Sequence, residues 1–193
     1  MLLVTAAESI RYGLTHRDIM PLAGDEYSDG ENTLLLEKRA TFVTLKINGQ
    51  LRGCIGTLVP QRALIKDVAY NACQAAFHDP RFEPLQAREL DTLHISISIL
   101  SPPESMQVAS EAELIEQLQP GRDGLIIEDG RHRATFLPSV WEQLPDPVAF
   151  VHHLKLKAGM ATAYWSDTLK LERYDSIEFG EDASVLLSPA GGA

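Results

Sequence analysis

Cysteine, arginine and glycine crowd into one stretch, Leu51-Arg52-Gly53-Cys54-Ile55-Gly56, and chemistry is sought there first. The thiolate is the reactive form of cysteine, and a nearby cation favours it. Gly53 and Gly56 would leave backbone open to close approach, or would serve close packing or a bulge if Cys54 is simply buried. A helix starting near Pro60 would aim unpaired N–H groups at an anion beside the thiol. With His78 as the base, these are the parts of a nucleophile and an oxyanion pocket. Cysteine is also among the most frequently buried side chains. Packing, or lining a pocket, is therefore the preferred reading of Cys54, with the nucleophile as the alternative. Cys73, on an alanine-rich stretch, reads as inert.

A second cluster is His78-Asp79-Pro80-Arg81-Phe82. Asp79 and Pro80 are turn formers for separate reasons, a side-chain hydrogen bond to backbone and a preset φ. Arg81 has two open readings. One is a bidentate contact with the carboxylate or phosphate of a ligand; the other is an internal salt bridge to Asp79, Glu83 or Glu89. The candidate ligand-binding residues are thus Arg52, Gly53, Cys54, Gly56, Asp79 and Arg81, and the candidate catalytic pair is Cys54 with His78. His94, Ser96 and Ser98 alternate along one strand, but the sequence places no acid beside them. No triad is read there, and exposure to solvent is expected. Arg131, His132 and Arg133 read as a solvated edge. His152-His153 lacks the spacing of a metal-binding helix. Cys54 and Cys73 belong to no CxxC pair or Cys/His cluster, so no metal or other cofactor is expected.

The elements that must position these groups follow from patterning. The 193 residues suffice for one generous domain or two small lobes. Two cysteines make no disulfide framework, which fits a reducing, cytoplasmic setting. The formal net charge of -10, with 17 Lys and Arg scattered along the chain, argues against a nucleic-acid partner. No apolar run is long enough to span a membrane, and the N-terminus reads as an amphipathic helix over residues 3–16 rather than a signal peptide. Residues 23–32 read as a loop. Asn48-Gly49 between two β-prone runs is a hairpin signal. A two-residue turn would pair Ile47 with Gln50, Leu45 with Arg52 and Val43 with Cys54. Arg52 and Cys54 would then share the face of Val43, Leu45 and Ile47. A helix is expected from near Pro60 to Phe77 and a half-buried strand over 93–100. Ser110 and Glu113 read as a capping box. A second hairpin turns at Asp129-Gly130, Asp146-Pro147 opens a helix that Gly159 closes, and "TLKLERY" is a late strand. Hairpins separated by helices indicate an α+β fold with a mostly antiparallel sheet.

"FVTLKINGQLRGCIGTL", "NACQAAFHDPRFEPL", "ELDTLHISISIL" and "ATFLPSVW", in this order, resemble the AMMECR (AMME chromosomal region) family, whose bacterial members are called AmmeMemoRadiSam system protein A. The resemblance implies an α+β fold with a larger and a smaller lobe, one AMMECR-like domain over 1–183; residues 184–193, which end in "SPAGGA", read as a flexible tail. The resemblance also implies company with a Memo-like protein and a radical SAM protein, and supplies no established reaction. Ser139 departs from the pattern, where glutamine is the family's residue. The expected role is an accessory component that binds a small anionic ligand or a protein segment around 51–56 and 79–82. The alternatives are a thiol-dependent enzyme using Cys54 and a nucleic-acid-associated regulator.

Overall fold

The structure, a computed structural model, describes residues 1–22 and 33–188. The loop expected over 23–32 and the last five residues of the tail lie outside the described residues. In chain order the helices are α1 (Leu2–His16), α2 (Thr33–Leu36), α3 (Leu64–Phe77), α4 (Glu111–Gln117), α5 (Pro147–Lys157) and α6 (Ala183–Leu186). The strands are β1 (Thr41–Ile47), β2 (Gln50–Gly56), β3 (Leu93–Leu100), β4 (Glu104–Ser105), β5 (Gly124–Asp129), β6 (His132–Phe136), β7 (Lys170–Tyr174) and β8 (Ser176–Asp182). Helix α6 begins at the end of the expected domain and includes residues 184–186 of the expected tail. The fold is α+β, and no described helix is long and apolar enough to cross a membrane.

The chain divides into two compact units, Met1–Leu100 with Ile177–Ala193, and Ser101–Ser176. In the first, a sheet of order β2-β1-β3-β8 lays Val43, Leu45, Leu93, Ile95 and Ile97 into a core completed by α1 and α3. Helix α1 presents Ala6, Ala7 and Ile10, buried at helical spacing, and Ser9 donates from its hydroxyl to the Ala69 carbonyl of α3 at 2.7 Å. Helix α3 begins four residues after Pro60. The bridge between Lys38 and Ala63, and the Leu64 N–H donated to Glu37 O at 2.8 Å, hold the preceding segment extended. Its first turn buries Asp67, whose Oδ2 accepts from Thr41 N and Oγ1, Thr57 Oγ1 and Asn71 Nδ2 at 2.8–3.1 Å.

The β1–β2 hairpin corrects one expectation. Asn48 and Gly49, both at positive φ (50° and 76°), make the two-residue turn, and Ile47 pairs Gln50 as the sequence indicates. Beyond Lys46↔Leu51, however, the register slips, so that Leu45 meets Gly53 and Thr44 meets Cys54. Arg52 is the extra residue of a β-bulge. A bulge sends every later side chain of its strand to the opposite face. Cys54 therefore shares the face of Thr44, away from Val43 and Leu45, and the placement of Arg52 and Cys54 among those residues falls. The cause is packing. A Cβ on Gly53 would lie 2.1 Å from the Ala75 carbonyl oxygen, so α3 sits directly on this glycine. The bulge is what turns Gly53, the residue without a side chain, toward the helix.

In the second unit a sheet of order β4-β7-β5-β6 buries Leu125, Ile126 and Ile127 in succession. The second hairpin pairs Asp129 with His132, so its turn is Gly130-Arg131, one residue later than expected. Ser110 caps α4 by accepting from Glu113 N, and Asp146 caps α5 by accepting from Ala149 N. Trp141 stacks on Phe150 at 3.8 Å in the core. The fully buried Lys155 donates from Nζ to Glu111 and to Thr162 O, while His152 Nε2 lies 2.9 Å from the other Glu111 oxygen.

Candidate binding site at the β2 edge

Strand β2 lies at the edge of its sheet, so the outward N–H and C=O of Cys54 need partners from outside the ladder. The turn after α3 supplies both. Asp79 Oδ2 accepts from Cys54 N at 2.9 Å, and Arg81 Nη2 donates to Cys54 O at 3.2 Å. Asp79 is also gripped by its neighbour, with Arg81 N, Nε and Nη2 all donating to its two oxygens at 2.7–3.1 Å. The Arg81 hydrogen bonds, foremost, together with the Cys54 N–H, outweigh the burial of this carboxyl and hold it well below the usual carboxylate range. Arg81 is shifted upward, first by its hydrogen bond to Asp79 and then by that residue's charge, with the Cys54 side chain a smaller contributor. Its guanidinium also lies 5.5 Å from the Phe82 ring centre.

The two sequence clusters thus meet at Cys54. The thiol is half-buried and accepts from Thr44 Oγ1 at 3.3 Å. Arg52 takes a separate partner, donating from Nε and Nη2 to the two Glu89 oxygens at 2.8 and 3.2 Å. Those bonds chiefly lower the Glu89 pKa. Gly53 and Gly56, which from sequence could serve either close approach of a ligand or close packing, have packing neighbours. Gly53 faces Ala75 O, and a Cβ on Gly56 would sit 2.3 Å from the Phe42 ring.

Two helpers expected for a nucleophile are placed elsewhere. At the N-terminal turn of α3, Asp67 accepts from Thr57 Oγ1, while Gly53 abuts Ala75 near the C-terminal end, so the start of α3 is not the part that meets Gly53. His78 is the exposed C-cap of α3, donates its backbone N–H to Gln74 O, and lines a cavity with Cys73 rather than contacting Cys54. Ser96 and Ser98, expected in solvent, are buried at 8% and 4% exposure.

Several partners were not legible in the sequence. Thr44 reaches Cys54 only through the bulge. Glu89 follows Arg52 by 37 residues, and Asp182 of β8 brings Oδ1 to 2.7 Å from His94 Nδ1 across 88 residues. Only Asp67 with Asn71 left a signal, two polar residues four apart on an apolar helix face.

Residues 3–179 match the model of the AMMECR1 family. The chain is 40% identical over 149 residues to Protein MJ0810 of Methanocaldococcus jannaschii, covering 75% of this chain and 74% of that one. It is 34% identical over 181 residues to a protein of Methanothermobacter thermautotrophicus, covering 88% and 94%. The fold is similar to the crystal structure of the uncharacterized protein PH0010 from Pyrococcus horikoshii, with a TM-score of 0.84, 30% identity, and 94% and 90% of the two chains covered. The chain belongs to the AMMECR1 family.

Proposed function

We propose that this protein is a binding component rather than a self-sufficient catalyst, and that its recognition surface is the β2 edge where Cys54 meets Arg81. The observation that carries this reading is the posture of Arg81. Asp79 and the Cys54 carbonyl engage Nε and Nη2, which leaves Nη1 outside these contacts on a side chain 54% exposed. A guanidinium held in this way is preorganised to donate to an anionic group, on a small ligand or on a protein segment, at little cost in side-chain entropy. In this role it acts with a Memo-like protein and a radical SAM protein in a cytoplasmic assembly. Affinity capture from the native cell, comparing the wild-type chain with Arg81→Gln, tests it. Enrichment of the Memo-like or radical SAM protein by the wild type and its loss in the variant is expected. Equal recovery by both, or recovery of neither partner, would sink the proposal.

A second reading keeps Cys54 as a nucleophile. It is favoured by the partial exposure of the thiol and by the Thr44 hydroxyl and Arg81 beside it. No base among the described residues is hydrogen-bonded to the sulfur. Iodoacetamide labelling near neutral pH separates the two readings. Alkylation of Cys54 at the rate of an ordinary exposed thiol supports the binding component, and a rate far above it supports the nucleophile.

A further inference from the structure

A cavity of about 830 Å³ opens in the first unit, where the C-terminal ends of α1 and α3 converge. It is lined by His78 and Glu83 but not by Asp79, Arg81 or any residue of β2. Its volume falls within the roughly 300–1,000 Å³ of small-molecule sites. Leu14, Ile19, Cys73, Phe77 and Leu85 are among its apolar lining residues. Gly13 lets the Phe77 ring lie against α1, since a Cβ there would meet that ring at 2.4 Å.

The charge balance of the lining has one sign. Each helix C-terminus carries about half a negative charge, and two of them point here. Asp18 and Glu83 add carboxylates, neither in a salt bridge among the described residues. Asp18 Oδ1 accepts from Ile19 N at 2.7 Å, which leaves Oδ2 for another donor. Arg17 alone among the lining residues is permanently cationic, so negative charge prevails. Cys73 lines the cavity from inside. It is 3% exposed and has no hydrogen-bond partner among the described residues, and burial, then the Asp18 charge, push its thiol up. Burial is the larger cause and has no preference for a cation; the Asp18 contribution, which does, agrees in sign with the carboxylates of the lining. The face of Phe77 suits a cation as well.

We propose that this cavity binds an organic cation, a protonated amine on an apolar body, with the ammonium toward Asp18 and Glu83 and the body against Phe77, Leu14 and Leu85. The site is separate from the β2 edge and does not depend on the reading given to that edge.

Calorimetric titration of the full chain with 2-phenylethylamine, 2-phenylethanol and 3-phenylpropionate tests it, because the three share an apolar body and differ in charge. The amine binds, the alcohol binds on the order of tenfold more weakly, and the carboxylate does not bind. The double variant Asp18→Asn, Glu83→Gln loses about tenfold for the amine and leaves the alcohol unchanged. Bound amine slows iodoacetamide labelling of Cys73 and leaves Cys54 unaffected. The proposal is overturned if none of the three binds, if the alcohol or carboxylate binds as tightly as the amine, if the double variant is indifferent, or if protection appears at Cys54 instead.

Discussion

Replacing Asp79 with asparagine tests whether the turn after α3 closes the edge of β2. The carboxylate accepts four N–H bonds at 2.7–3.1 Å, one from Cys54 and three from Arg81, while only 4% exposed. An asparagine of the same shape accepts through one oxygen and turns an NH2 toward the remaining donors. Either the Cys54 amide or the guanidinium then loses its partner. A hydrogen bond to a charged group is worth about 1.5–3 kcal/mol. Arg81 is half exposed, so water recovers part of its loss. The expected cost is about 2 kcal/mol for Asp79→Asn and about 3 kcal/mol for Asp79→Ala. The pH dependence has a definite sign. A carboxyl depressed in the folded state contributes stability that is complete above its unfolded value, about 3.9, and fades as pH falls below it. The gap between wild type and Asp79→Asn is therefore constant from about pH 5 to 8 and closes below about pH 4. Both tryptophans, Trp141 and Trp165, lie in the second unit, so their fluorescence does not report on this one. Urea unfolding followed by far-ultraviolet dichroism, with hydrogen exchange of the Cys54 amide, is the suitable assay; exchange should quicken about 30-fold. A stability change under about 0.5 kcal/mol with unchanged Cys54 exchange would refute the reasoning.

Three further outcomes are expected. Gly53→Ala forces its Cβ to within 2.1 Å of Ala75 O, and overpacking against backbone should cost about 1–3 kcal/mol, read as a lower urea midpoint of the first unit; an unchanged midpoint would show that α3 moves freely over β2. Burial alone would raise the Glu111 carboxyl, but hydrogen bonds from Lys155 and His152 outweigh it and hold it below its ordinary value. Glu111→Gln then leaves the fully buried Lys155 uncompensated, at about 3 kcal/mol by tryptophan fluorescence, and adding Lys155→Met should restore most of that loss; a double variant no better than the single one would exclude the charge as the cause. Iodoacetamide should label the half-buried Cys54 in the folded protein well before Cys73, by mass spectrometry, and the reverse order would contradict the exposure of the two thiols.

Much of the local structure was legible in the sequence because it rests on interactions between near neighbours. Apolar spacing located α1, most of α3 and β3. Asn48-Gly49 marked a turn that needs two positive φ values, and Ser110 and Asp146 marked helix caps whose partners lie three residues away. The motifs around Cys54 and Asp79 sufficed to identify the family and its α+β fold. What the Cys54 thiol faces was not legible. That depended on a bulge at Arg52, and the bulge exists because the Ala75 carbonyl, 22 positions after Gly53, leaves room only for a glycine hydrogen on that face. The partners of the charged groups were equally hidden. Arg52 chose Glu89, His94 chose Asp182 and Lys155 chose Glu111, because an ion pair is selected by the distance between side chains after the elements have packed, and sequence separation carries no information about that distance.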